Sequence, residues 1–108
     1  MSSEFERPND LEALPEYVLW TLSKEGTRAE ARVRLIPGVG PELRIYATGE
    51  PAIDTARDLF WSAVIRDGAA LNEEAERKLQ EFTDRGWVED PASQARRAAG
   101  AADPWSLH

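Results

Sequence analysis

Apolar and polar residues alternate over three consecutive segments of the chain, 17–24, 28–36 and 42–48. A period of two puts successive side chains on opposite faces, so each segment is predicted to be a β-strand with one face in a core. Glu25-Gly26 fits a two-residue hairpin turn, and PGVGP at 37–41 fits a second turn, because glycine adopts positive φ and proline ends a strand ladder. Short turns join antiparallel neighbours, and we therefore predict a β-meander.

The turn at Glu25-Gly26 also sets the pairing of the first two strands, because the loop length determines which residues face each other. The pairs on the predicted core face are Leu22 with Ala29, Trp20 with Ala31, and Val18 with Val33. The pairs on the opposite face are Ser23 with Arg28, Thr21 with Glu30, Leu19 with Arg32, and Tyr17 with Arg34. Apolar residues meet apolar residues on the core face, so the register is consistent along the hairpin.

A further strand and a helix follow the meander. Residues 58–66 (DLFWSAVIR) are apolar on both faces and predict a fourth strand. An amphipathic helix comes next, because four apolar residues recur at helical spacing: Leu71, Ala75, Leu79 and Phe82. Asn72 is its predicted N-cap. Gly86 fits the left-handed position after the last turn, which places Trp87 to contact Phe82.

The predicted fold is therefore α+β, a four-stranded antiparallel β-meander with one C-terminal helix packed on one sheet face. We assign 17–90 to this single ββββα domain, 1–16 to a flexible acidic arm and 91–108 to a flexible alanine-rich tail, with a short helix over 93–99 as an alternative for the start of the tail. The predicted core residues are Val18, Trp20, Leu22, Val33, Leu35, Leu43, Ile45, Trp61, Ile65, Leu79 and Phe82.

Composition excludes several classes of protein. A chain of 108 residues has the size of one small domain, and the absence of cysteine excludes a disulfide scaffold and thiol chemistry. No apolar run approaches the roughly 20 residues of a membrane span, and the acidic start lacks the basic and apolar regions of a secretory signal. We expect a cytoplasmic protein with no membrane association.

The net charge of −7 is unevenly distributed along the chain. Residues 1–16 carry five acids and one base, and residues 69–90 carry seven acids and three bases. Residues 17–48 carry five bases and three acids, so the predicted hairpin region is locally positive. The overall sign disfavours nonspecific binding to nucleic acid or anionic lipid, which depends on a positive field, but the hairpin is an exception to it.

The order of these elements resembles a group of small uncharacterised bacterial proteins. The residues that carry the resemblance are Tyr17, Trp20, Arg32, Arg34, Glu42-Leu43-Arg44, Gly86 and Trp87. The resemblance covers residues 17–87 and implies a four-stranded meander with one C-terminal helix that ends in Gly-Trp. These proteins have no assigned activity, so the resemblance implies a fold and leaves the function open.

The face of the first three strands that points away from the predicted core is the first candidate binding surface. Its residues are Tyr17, Leu19, Arg28, Arg32, Arg34, Arg44 and Tyr46. Guanidinium groups interleaved with aromatic rings are typical of proteins that bind single-stranded nucleic acid, by stacking and by phosphate contacts. An acidic protein partner is a second interpretation. The third is a solvated sheet face on which Glu30 and Glu42 screen the arginines and the acidic arm folds across them.

The apolar fourth strand is the second candidate surface. One helix covers one sheet face, so part of this strand is expected to be exposed, and a large apolar patch is typical of an interface. The interface candidates are Phe60, Trp61, Val64 and Trp105. We expect a homodimer through this face. The alternatives are that Trp105 and Leu107 cover it within the same chain, or that a different protein binds there.

Catalytic residues are poorly represented. The one histidine is His108, which excludes histidine-based triads and zinc sites, and Gly38-Val-Gly40 lies between prolines, as a turn does. We therefore expect no enzymatic activity, no metal and no cofactor. The sequence favours a non-catalytic protein-interaction module that self-associates through the exposed sheet face, with a weak nucleic-acid-binding or regulatory domain as the alternative.

Overall fold

The computed structural model describes residues 14–99 as an antiparallel sheet of five strands with two helices. The strands are β1 (Tyr17–Lys24), β2 (Thr27–Ile36), β3 (Gly40–Thr48), β4 (Leu59–Val64) and β5 (Val88–Glu89), and the helices are α1 (Gly68–Asp84) and α2 (Pro91–Ala98). The sheet order β4-β3-β2-β1-β5 makes β4 and β5 the outer strands. The α+β class and the antiparallel meander are confirmed.

Between residues 14 and 99, the structure has one strand and one helix more than the predicted four strands and one helix, namely β5 and α2. β5 has two residues, which is too short for a readable period, and it pairs with β1 at Leu22 and Ser23. α2 then begins at Pro91, where the alanine-rich tail was predicted to start. The predictions for residues 1–13 and for the tail from residue 100 onward lie outside the described residues.

The first hairpin follows the predicted register for most of its length. Glu25 and Gly26 have φ values of 51° and 83°, as a type I′ turn requires, and the pairs Trp20 with Ala31 and Leu22 with Ala29 are confirmed. Beyond Trp20 the register shifts at a β-bulge. There the predicted pairs Val18 with Val33, Leu19 with Arg32, and Tyr17 with Arg34 are wrong.

The bulge has a physical consequence for both sheet faces. Leu19 is the extra residue, so Val18 now faces Arg32, and Tyr17 faces Val33. The Val18 side chain leaves the core face and is 40% exposed, whereas Tyr17 packs against the core. Leu35 was also predicted in the core but is exposed, near the end of the β2–β3 ladder opposite Pro41.

Helix α1 covers one face of the sheet through Leu71, Ala75 and Leu79, which are buried. The indole N–H of Trp20 donates to the Ala75 carbonyl oxygen at 3.0 Å. The helix begins earlier than predicted, because the N-cap is Asp67 and not Asn72: the Asp67 carboxylate accepts from the Ala70 N–H at 2.8 Å.

The end of α1 matches the prediction in detail. The Trp87 N–H donates to the Phe82 carbonyl, the Gly86 N–H donates to the Thr83 carbonyl, and Gly86 has φ 97°. These bonds define a Schellman motif. The rings of Phe82 and Trp87 meet edge to face, with centroids 5.5 Å apart.

Strand β4 places Trp61 on the α1 side of the sheet, because Trp61 pairs with the buried Ile45. Trp61 and Ile65 are half-buried against the core. Val64 pairs with Glu42 on the opposite face. A second register shift makes Phe60 an extra residue of β4, and its ring contacts that of Phe82 on the α1 side.

Candidate functional site

The sheet face opposite α1 carries the predicted arginine cluster. On β2, Arg28, Arg32 and Arg34 alternate with buried Ala29, Ala31 and Val33, so the guanidinium side chains all leave the sheet on one side. The cross-strand pairs Arg32 with Arg44 and Glu30 with Tyr46 add β3 side chains to the same side. We call this surface, with Arg28, Glu30, Arg32, Arg34, Glu42, Arg44 and Tyr46, the arginine face.

Five of the seven residues predicted for this surface belong to it, but Tyr17 and Leu19 do not. The bulge in β1 moves both of them, and each packs in part against the core cluster. Arg28 lies at the end of the face with its side chain half-exposed, 3.7 Å from the Glu30 carboxylate. The aromatic part of the predicted surface is therefore reduced to Tyr46.

Glu16 is the last residue of the predicted acidic arm, and it contacts the arginines as one of the three interpretations of this face expected of the arm, although the sequence did not single it out. Its carboxylate accepts from Arg32 Nη1 at 3.0 Å and from the Tyr46 hydroxyl at 2.5 Å, and it lies 3.3 Å from Arg44 Nε. Without the bulge, Glu16 would share a face with Val18 on the core side. Predicting the position of Glu16 would have required knowledge of the extra residue in β1. The alternation of apolar and polar residues does not reveal that residue.

Two further carboxylates hold the remaining guanidinium groups. Glu30 accepts from Arg32 Nε at 2.7 Å and from the Thr21 hydroxyl at 3.2 Å. Glu42 accepts from Arg34 Nε at 2.5 Å and from Arg44 Nη1 at 3.1 Å. Both carboxylate residues are buried. Three acids therefore offset most of the charge of four arginines, and the face is an ion-pair network with little free positive field.

Tyr46 occupies the centre of the network and is fully buried. The guanidinium carbons of Arg32 and Arg44 lie 5.1 Å and 5.6 Å from its ring centroid, within the range of cation–π attraction. Its hydroxyl donates to Glu16 and accepts from Arg44 Nε at 2.7 Å. Burial and the hydrogen bond to Glu16 raise the pKa of this phenol above its ordinary value.

The two central arginines are held in their charged form. Burial acts against the charge of Arg32, but hydrogen bonds to Glu30 and Glu16 outweigh it, so its pKa is raised. Burial opposes the charge of Arg44 in the same way, and hydrogen bonds to Tyr46 and Glu42 raise its pKa. These groups bind anions and do not exchange protons near neutral pH.

The predicted interface residues do not share one face. Trp61 lies against the core, with Lys78 Nζ 4.4 Å from its ring centroid. Phe60 is 66% exposed beside α1, and Val64 is 51% exposed on the other face of the outer strand. Trp105 lies outside the described residues. Three exposed apolar side chains thus follow one another along the edge of the sheet at β4, where Leu59 is also exposed.

The remaining polar groups offer little chemistry. The Asp58 carboxylate accepts two hydrogen bonds from the neighbouring Arg57 guanidinium, which lowers its pKa to about 2, so it is ionised near neutral pH. An open pocket of about 340 Å³ is lined by Glu89, Gln94, Arg97 and Ala98, but Glu89 and Arg97 are bound to each other there. Among residues 14–99, no group of three or more acidic or histidine side chains could hold a metal ion.

The helices between Leu14 and Ala99 are also too short or too polar to cross a membrane. No protein-family model, curated protein or solved structure matches the chain, so its function is inferred from its own residues.

Proposed function

We propose that the protein is a non-catalytic interaction module that self-associates through strand β4. The observation that carries the proposal is the composition of this outer strand: LFWSAV contains no charge and no proline, and Leu59, Phe60 and Val64 are exposed along it. Proteins usually protect such an edge with lysine, proline or a covering segment, because it pairs readily with another strand. In β4 the sequence provides no such protection.

The hydrogen-bonding pattern supports pairing between two copies. The Ile65 N–H donates to the Pro41 carbonyl at 2.9 Å, toward β3. Because successive residues of a strand direct their backbone groups to opposite sides, those of Ser62 and Val64 point to the open edge. Two copies related by a two-fold axis expose the same edge to each other, so antiparallel pairing satisfies both edges and covers Val64.

A variant of the edge tests the proposal. We expect the wild-type chain to have the mass of a dimer by light scattering at about 50 μM, since a small edge interface gives roughly micromolar affinity. V64K places a positive charge on the edge strand, and because Val64 pairs with Glu42, the lysine lies beside a carboxylate and the fold of the single chain is kept. We expect V64K to be a monomer. The matched control is V88K, which puts the same charge at a 64% exposed valine of β5 and should leave the dimer intact.

Two results would overturn self-association through β4: a monomeric wild-type chain at this concentration, or a V64K variant that remains dimeric. Circular dichroism of each variant confirms that the sheet is retained. A dimer disrupted by V88K and not by V64K would instead move the interface to the opposite edge of the sheet.

The alternative of single-stranded nucleic acid receives less support from the arginine face. Phosphate contacts require guanidinium groups that are free to leave their partners. Arg32, Arg34 and Arg44 each have a carboxylate oxygen within 3.1 Å, and Tyr46 is buried beneath them. The rings needed for base stacking are therefore not presented, which favours a protein partner.

A further inference from the structure

We infer that Arg32, Tyr46 and Arg44 form a binding site for a side-chain carboxylate, which Glu16 fills from within the chain, and that a glutamate or aspartate of an acidic peptide segment takes the place of Glu16 in a complex. The inference is independent of self-association through β4, because Glu16 and its three partners lie on β2, β3 and the residue before β1.

The geometry of two donors and one neighbouring guanidinium group matches one carboxylate. Arg32 Nη1 binds one oxygen of Glu16, and the other oxygen receives the Tyr46 hydroxyl and lies 3.3 Å from Arg44 Nε. Each carboxylate oxygen thus has its own donor from a different side chain. One oxygen accepts from a charged donor and the other from a phenolic hydroxyl beside a second guanidinium group, so the arrangement favours the planar, negatively charged carboxylate group, and hydrogen bonds to a charged group are the stronger class.

The donors are held in place without Glu16. Arg32 is fixed by Glu30, and Arg44 by Glu42, through separate nitrogen atoms. Arg32 and Arg44 are also direct cross-strand neighbours, on two inner strands of the sheet. Removal of the Glu16 carboxylate would therefore leave a preformed cationic site, and a second carboxylate would bind it without a cost for ordering the donors.

Glu16 occupies the site from a position that does not belong to the sheet. It precedes the first residue of β1, and its neighbour Pro15 is exposed. Its contacts with the network are made by its side chain, so the sheet remains complete when this carboxylate moves away. A tethered group nevertheless competes with a free ligand at an effective concentration of about millimolar. The native site is therefore closed to weak anions and opens to a ligand with several carboxylates.

The test measures binding of a fluorescently labelled octaglutamate peptide by anisotropy at low salt. We expect E16A to bind it at least about ten-fold more tightly than the wild-type chain, because the tethered competitor is gone. The matched control is E25A, which removes the same charge at an exposed turn and should bind like the wild type. Labelled octaglutamine should not bind any of these proteins.

The site is identified by removing one donor. Adding Y46F to E16A deletes a single hydroxyl group, and we expect it to weaken peptide binding about ten-fold. Adding F60S to E16A changes an exposed β4 residue on the α1 side of the sheet without adding charge, and it should leave peptide binding unchanged, which separates this site from the β4 edge.

Equal peptide binding by E16A, E25A and the wild type would overturn the inference, as would an E16A protein whose peptide binding is insensitive to Y46F. Should E16A fold poorly by circular dichroism, E16Q keeps an oxygen acceptor for Tyr46 and serves instead. Its expected affinity for octaglutamate lies between those of E16A and the wild type, and equality with the wild type would count against the site.

Discussion

At the scale of single residues, Tyr46 connects Arg32, Arg44 and Glu16 at the centre of the arginine face. Its ring lies within cation–π distance of two guanidinium groups, and its hydroxyl donates a hydrogen bond to Glu16. The sequence indicated its face and its arginine neighbours, but it suggested an exposed ring for stacking. Arg32 from β2, Arg44 from β3 and Glu16 from before β1 converge on the ring, and such convergence depends on pairing between strands as well as on alternation within one.

The raised pKa of Tyr46 leads to a prediction about alkaline pH. A phenol whose pKa is higher in the folded than in the unfolded state stabilises the fold below its unfolded pKa of about 10, and this contribution is lost as the pH rises through the folded value. We expect the free energy of unfolding to decrease above about pH 10, and Y46F to lessen that decrease. Urea unfolding from pH 8 to 11 measures it. Y17F is the matched control, and an identical effect of the two variants would contradict the assignment.

At the scale of secondary-structure elements, the sequence predicted the features that depend on residues close together in the chain. The prediction failed where one extra residue is inserted into a strand. The turns and the Schellman end of α1 follow from glycine positions and short-range contacts, and both are present. The core side of β1 is apolar whether or not the bulge at Leu19 is present, so nothing in the sequence of β1 itself reveals the bulge. That one insertion explains the misplacement of Tyr17 and Val18 and the omission of Glu16 from the predicted site.

Gly86 gives a test of how much the end of α1 contributes. At φ 97°, an added Cβ meets no atom closer than 3.5 Å, so the cost of alanine comes from the left-handed backbone. We expect G86A to lower the free energy of unfolding by about 1 kcal/mol. Chemical denaturation measures the change. The control is G49A, at a glycine without positive φ and with open space around it, where little destabilisation is expected. Equal stability of G86A and the wild type would show that this turn is not under strain.

At the scale of the whole molecule, residues on both sides of the predicted 17–90 domain contact the sheet, Glu16 before it and helix α2 after it. Ser93 Oγ accepts from the Thr21 N–H at 3.2 Å and donates to Glu89, so α2 is joined to the edge of β1. Arg97 donates to both oxygens of Glu89. These contacts lower the pKa of Glu89, chiefly through Arg97 and against the effect of burial. The folded unit therefore extends through α2, although its sequence has no strong apolar period.

Truncation tests this boundary, because a chain of residues 1–90 keeps β5 but loses α2. Glu89 would then remain beside the core without its arginine and serine partners, and the Thr21 N–H would lose its acceptor. We expect the 1–90 chain to be less stable by about 2–4 kcal/mol. A chain of residues 1–99 keeps each of these contacts and should unfold like the full chain.

The lowered pKa of Glu89 gives a related prediction for R97Q. A carboxylate with a lowered pKa stabilises the fold above its unfolded pKa of about 4.3, and this contribution is lost as the pH falls through the folded pKa. Because R97Q removes the main cause of the lowered pKa, we expect it to lose less stability in acid than the wild-type chain. Urea unfolding at pH 7 and at pH 3 compares all four proteins. Equal stability of the 1–90 and 1–99 chains at pH 7 would return the boundary to residue 90.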